Sequence, residues 1–162
     1  MRNMMKFLFV CTISITWLSA SANISNGKFI EVFESLTCGC CDKWVDYMKS
    51  KGYELKVHKS ADFYKVKEKY EIKDAYQSCH TGVINGFVLE GHIPVSVVEW
   101  LLTNKPKNAI GVAAPGMPQG SPGMEQGTYD EYPVILLLKN GEYELLGTYK
   151  GDKLIKAGKI KH

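Results

Sequence analysis

Apolar residues recur along this chain with two distinct periods. Lys28 to Phe33 is a short, nearly continuous apolar run, as expected for a buried strand. Cys41, Trp44, Val45 and Met48 then recur at i, i+3, i+4 and i+7, which predicts an amphipathic helix ended by Gly52. Tyr53, Leu55 and Val57 alternate with polar residues and predict a second strand, and Phe63, Val66 and Tyr70 fit a second helix. Thr81 to Ile84 and Phe87 to Glu90 flank Asn85-Gly86, a dipeptide that accepts the positive φ angles of a tight hairpin turn. Pro94 suits the first turn of a third helix, whose buried face is Val97, Val98, Leu101 and Leu102. Between Ala113 and Gly127 glycine, proline and two methionines dominate and no period survives, so this stretch is expected to be functional or disordered. Pro133 to Leu138 and Glu142 to Tyr149 around Asn140-Gly141 predict a second hairpin.

The order β-α-β-α-β-β-α carries a cysteine motif, Cys38-Gly39-Cys40-Cys41, in its first β-to-α turn. That combination predicts an α/β, thioredoxin-like fold with an extra C-terminal β-hairpin. Trp44, Met48 and Trp100 are assigned to its core. Upstream, Arg2 and Lys6 precede an apolar stretch from Phe7 to Leu18, followed by Ala20-Ser21-Ala22. This is the pattern of a signal peptide over residues 1–22, cleaved after Ala22. Residues 23–162 are then expected to form a single domain in the periplasm, with no membrane attachment after cleavage. Cleavage lowers the formal charge from +3 to +1. A near-neutral chain without a basic block excludes nucleic acid as a natural partner. The lysines between Lys56 and Lys73 alternate with acidic and aromatic residues and are expected to form a solvated face.

Of five cysteines, Cys11 falls in the leader and leaves Cys38, Cys40, Cys41 and Cys79. An even number in an oxidising compartment usually means structural disulfides, but closing so small a loop removes little entropy from the unfolded chain. The clustering points to chemistry instead. Cys38 and Cys41 have C-x-x-C spacing at a helix start, where free N–H groups and the helix dipole favour thiolate. Both are the candidate redox-active, catalytic pair. Cys40 adds a third sulfur, and soft thiolates select Cu(I) or Zn over harder ions. A Cys38–Cys41 disulfide with Cys40 as bystander is the competing reading. Cys79-His80 enters the Thr81 strand at a loop expected to lie beside the motif, so Cys79 is a candidate fourth sulfur or disulfide partner. His80 and His92 are further candidate ligands, whereas His58 and His162 look incidental. Met117 and Met124, on the Gly/Pro stretch, offer thioethers that suit Cu(I) better than Zn.

Taken together, Cys38-Gly39-Cys40-Cys41 with Lys43-Trp44, Ser78-Cys79-His80-Thr81, Glu90-Gly91-His92-Ile93-Pro94, Pro115-Gly116-Met117-Pro118 and Gly120-Ser121-Pro122-Gly123-Met124-Glu125 resemble one bacterial family. It is the periplasmic copper-associated CopG family, long catalogued as a domain of unknown function, and the resemblance spans Phe29 to Glu125. It implies a thioredoxin-like fold, an association with copper resistance and a copper site on the C-x-C-C motif. Cys38, Cys40 and Cys41 would be principal ligands, Cys79 a further ligand or redox partner, and Met117 and Met124 candidates from the loop. Bridging thiolates could hold several Cu(I) ions, so a multinuclear copper cluster fits. The expected function is copper binding for copper tolerance, with Cu(I)/Cu(II) cycling as a copper oxidoreductase if the cysteines exchange electrons with the metal. Partners would be copper ions and copper efflux or periplasmic copper-handling proteins. Two alternatives stand beside it: a metal-free thiol–disulfide oxidoreductase, and a passive chaperone handing Cu(I) to an efflux system.

Overall fold

The first apolar run forms strand β1 (Phe29–Glu34), with Ile30, Val32 and Glu34 buried on one face. Helix α1 (Gly39–Ser50) follows and buries Cys41, Trp44, Val45 and Met48, the residues its period marks. Next come β2 (Glu54–Lys59), a short helix α2 (Lys65–Lys69) and a 3-10 turn at Asp74–Tyr76. The chain continues through the hairpin of β3 (His80–Ile84) and β4 (Phe87–Glu90) into helix α3 (Val95–Asn104). Strands β5 (Ala109–Ala113), β6 (Glu131–Leu138), β7 (Tyr143–Lys150) and β8 (Lys153–Ala157) complete the order. This computed structural model describes residues 27–160. The expected signal peptide, Cys11 and His162 lie outside the described residues.

Among the described residues the eight strands join one mixed sheet in the order β2-β1-β3-β4-β5-β6-β7-β8. β1 runs parallel to β2 and β4 parallel to β5, and the remaining neighbours are antiparallel. The protein is therefore a mixed α/β structure with few helices. The Asn85-Gly86 turn forms as expected, with φ of 49° and 83°. The main core packs α1 and α3 on one sheet face, around Trp44, Met48, Leu89, Ile93, Val98 and Leu101. Trp44 is fully buried, and its indole Nε1 donates to the Ile93 carbonyl at 3.0 Å. Trp100 is only half-buried but packs against this core. A smaller cluster of Ile72, Val88, Ala113, Ile135 and Leu137 lies apart from it. Among the described residues no helix is long and apolar enough to cross a membrane.

Three features depart from the sequence expectation, and a fourth decides between its alternatives. α2 covers only the middle of the predicted helix. Lys67, expected in solvent, is 2% exposed. It reaches inward because a buried carboxylate, Glu90, stands opposite its ammonium. β5 and β8 were not anticipated, because β5 is short and interrupted by Gly111 and every residue of β8 is exposed. The Gly/Pro/Met stretch has a defined path, and Gly120 to Met124 are buried. At Gly123, φ is +84°, and a Cβ would stand 2.7 Å from the Trp44 nitrogen and 3.1 Å from the Cys40 carbonyl. Glycine there lets the stretch dock on the start of α1.

Because Trp44 joins α1 to the segment before α3, Trp44→Ala is expected to cost about 3–5 kcal/mol. Chemical denaturation should show a lower midpoint with an unchanged slope.

Candidate metal centre

The cysteine motif sits where β1 gives way to α1. Cys38 caps the helix without a side-chain hydrogen bond, and its carbonyl accepts from the Asp42 N–H at 3.3 Å. The antiparallel register of β1 and β3 pairs Glu34 with His80, so the chain entering β3 returns beside the chain leaving β1. Cys79, one residue before β3, therefore meets the motif. Its Sγ lies 4.0 Å from the Cys40 Sγ, and the Cys40 Sγ lies 3.5 Å from that of Cys38. Cys38 and Cys41 are joined as a disulfide with a Cα–Cα separation of 5.3 Å, leaving Cys40 and Cys79 free and half-buried. The Cys41 Sγ is 3.9 Å from the Cys79 carbonyl. No cis peptide bond occurs among the described residues, including the loop before β3.

Two imidazoles complete the cluster from below. Cys79 Sγ lies 3.1 Å from His92 Nε2 and 3.3 Å from His80 Nδ1. His92 Nδ1 lies 2.8 Å from the Pro122 carbonyl, which can only accept, so that nitrogen carries the proton and Nε2 presents its lone pair to Cys79. Both rings are fully buried, stand edge to face at 5.0 Å, and His80 packs on Trp44 at 4.6 Å. His80 Nε2 has no hydrogen-bond partner among the described residues. Cys38, Cys40, Cys41 and Cys79 form one convergent group and Cys79, His80 and His92 another, each with its donor atoms within 4.8 Å. Cys79 belongs to both.

Burial sets the protonation of these groups. It lowers the pKa of His80 well below the ordinary value, with help from His92 and Lys67. It also lowers that of His92, against the Pro122 hydrogen bond. Both rings are neutral at pH 7 and can act as ligands. The Cys79 thiol is pushed up to about 12, first by burial and then by neighbouring Cys40. Cys40, Cys79 and the two neutral imidazoles, joined by Cys38 and Cys41 once their disulfide is reduced, are a soft to borderline donor set suited to Cu(I) or Zn and not to hard cations. A metal binding here must displace the Cys79 proton.

A model of a family described as protein of unknown function, DUF411, matches residues 76–124, the span holding Cys79, His80, His92, Met117 and Met124. No match was found among curated proteins. Two solved forms of a copper resistance protein CopG are similar at 38% identity, with TM-scores of 0.71 and 0.69. The similarity covers 76% and 75% of this chain and 98% and 97% of those chains. The chain belongs to the CopG family. The C-x-C-C motif and Cys79 of this CopG-family chain thus meet in three dimensions, together with His80 and His92. Met124 is buried in the turn that docks on α1, whereas Met117 is 56% exposed. Met117 follows Gly116, whose carbonyl accepts from the Ser78 hydroxyl, so the chain reaches it from beside Ser78-Cys79.

Sequence reasoning missed three buried charged side chains around the cluster. Glu34 is fully buried, and neither carboxylate oxygen has a hydrogen bond among the described residues. The Lys59 ammonium stands 3.3 Å from its Oε1 but directs its donors to Asp42 at 2.8 and 2.9 Å. Burial raises the Glu34 pKa. Lys67 and Glu90 form an ion pair on the far side of Cys79. A glutamate closing each of two apolar runs was the available signal.

Two outcomes are expected for the metal-free protein. Below the ordinary imidazole value of 6.5 the unfolded chain binds protons that folded His80 and His92 refuse. Their contribution is therefore present above that pH and is lost as pH falls. Thermal unfolding at pH 7.5 and 5.5 should show a smaller drop in Tm for His92→Asn than for the parent. The raised carboxyls of Glu34 and Glu90 act in the opposite sense but are common to both proteins. Second, iodoacetamide at pH 8 should label Cys79 at least ~10-fold more slowly than an unperturbed thiol, measured by peptide mass spectrometry.

Proposed function

We propose that this chain is a periplasmic copper-binding protein of copper tolerance, which holds Cu(I) through its cysteine cluster and exchanges electrons with it. The observation that carries this reading is a group of four cysteine sulfurs that shares Cys79 with a second group holding two neutral imidazoles. The copper resistance relatives support copper over zinc as the cargo. The thioredoxin-like reading rests on the order β2-β1-β3-β4, the parallel first pair, the antiparallel hairpin and the C-x-x-C pair at the start of α1. The leader pattern in residues 1–22 supports export. A single domain over residues 23–162 is part of the same reading.

In this account Cys40 and Cys79 are copper ligands whichever state Cys38 and Cys41 adopt. His92, oriented by Pro122, and His80, held against Trp44, offer neutral nitrogen beside them. Met124, and Met117 at the surface, are the candidate thioether donors. The Cys38–Cys41 pair is the electron store. Two thiols reducing two Cu(II) ions would yield one disulfide, two Cu(I) ions and two protons; the reverse consumes the same two protons. More than one copper can be held because thiolate sulfur bridges metals.

One observation favours a second reading. The Cys38–Cys41 disulfide with half-exposed Cys38 is also the arrangement of a metal-free thiol–disulfide oxidoreductase. Anaerobic titration of the reduced protein with Cu(I) against a competing chelator separates them. The copper reading expects retained metal, and Cys40→Ser should lower affinity by at least ~10-fold or reduce stoichiometry. Unchanged copper binding in Cys40→Ser would remove Cys40 as a ligand. No retained copper alongside disulfide-exchange activity would establish the second reading. Turnover of Cu(II) to Cu(I), or the reverse, would rule out a purely passive chaperone.

A further inference from the structure

Behind Cys79, on the side away from α1, lies a buried polar network that the donor set leaves unused. Glu90 closes β4 with its carboxylate fully buried. Its Oε1 accepts from the Ser78 N–H at 2.7 Å and from the Lys67 ammonium. Its Oε2 accepts from the Thr81 hydroxyl at 2.6 Å, and Lys67 donates to that same hydroxyl oxygen at 2.9 Å. Ser78 and Thr81 bracket Cys79 and His80. One carboxylate thus holds both ends of the four-residue segment that presents the fourth sulfur and an imidazole.

Outside the strand ladder, backbone ties to that segment are an isolated bridge between Ser78 and Gly116 and the His80 carbonyl accepting from the Gly91 N–H at 2.9 Å, and neither engages the Ser78 N–H. Thr81 lies in the ladder opposite Glu90, but β3 begins only at His80. The acceptor of the Ser78 N–H is the Glu90 side chain. The same point anchors the loop beyond β5, because Ser78 also donates to the Gly116 carbonyl. Gly91 passes so close that a Cβ there would overlap the Ser78 hydroxyl. Burying an ion pair is a poor route to stability, since desolvation offsets most of the Coulomb attraction and an apolar pair of similar size does as well. What the pair supplies is an acceptor of fixed position for the Ser78 N–H and the Thr81 hydroxyl, with Lys67 balancing its charge.

We propose that Lys67 and Glu90 are positioning residues for Cys79: a buried charge-paired clamp that fixes its sulfur against Cys40 and His92. The clamp acts through Ser78 and Thr81 and touches no donor atom itself. It follows that loss of the clamp frees Cys79 while leaving Cys40, which is carried by α1, unaffected.

The test compares two double variants of the full chain. Lys67→Met/Glu90→Leu removes both charges and the acceptor. Lys67→Met/Glu90→Gln also removes both charges but keeps an oxygen for the Ser78 N–H and a polar neighbour for Thr81. With the Cys38–Cys41 disulfide intact and no metal present, iodoacetamide labelling of Cys79 should rise about tenfold or more in the leucine variant. Labelling of Cys40 should not change, and the glutamine variant should restore Cys79 towards the parent. Cu(I) affinity of the reduced proteins should follow, with a loss of about 10–100-fold in the leucine variant and recovery in the glutamine variant. This copper arm rests on the copper reading, whereas the labelling arm does not, so a parent that retains no copper would sink that reading and leave the clamp decided by Cys79 alone. Should the leucine variant fail to fold, Thr81→Val removes the Oε2 tie and the Lys67 bond to the same hydroxyl, leaves the ion pair and the Ser78 N–H tie in place, and should raise Cys79 labelling by a smaller factor. Parent-like Cys79 labelling in a folded leucine variant, or in Thr81→Val, overturns the clamp. So does a glutamine variant as perturbed as the leucine variant.

Discussion

The pairing of Glu34 with His80 across β1 and β3 is the constraint on which the rest of the site depends. β1 delivers the chain to the cysteine motif and β3 starts one residue after Cys79, so their register sets which side chains face the start of α1. A slip of one residue would turn His80 to the other face of the sheet, away from Trp44 and His92. The pairing is secured by burial on both sides of the sheet. Ile30 and Val32 face α1, while Lys67, Thr81 and Glu90 close the opposite side. Donors from three distant stretches of sequence meet because this one register brings their strand ends together.

Within that frame, burial does the electrostatic work. It holds two imidazoles neutral and leaves the Cys79 thiol protonated, so the metal-free cluster carries little charge. Soft cargo would gain thiolate ligands only by displacing protons. The loop after β5 closes the arrangement. Pro122 fixes the His92 tautomer, and Gly123 lets the chain lie against Cys40 and Trp44. A stretch that reads as irregular is thus ordered by what it packs on.

Much of this was legible in the sequence where a residue's neighbours in the chain decide its conformation. The α1 face, the Asn85-Gly86 turn and the second hairpin all declared themselves through period or turn chemistry. The cysteine motif, Cys79 and the two histidines were visible as donor types, and the structure brings all six together. What stayed hidden depends on distant partners. Lys67 looks like its exposed lysine neighbours, because only Glu90, 23 positions away, draws it inward. β8 has no buried face, so only its hydrogen bonds to β7 make it a strand. Met117 and Met124 are alike in sequence, yet one is exposed and the other buried, a distinction set by the docking of Gly123.

X-ray absorption at the copper edge of the loaded, reduced protein tests the central claim most directly. A first shell dominated by sulfur, with imidazole scattering beyond it that weakens in His92→Asn, is the expected result. A first shell of oxygen and nitrogen alone, unchanged when Cys40 or Cys79 is replaced by serine, would contradict it.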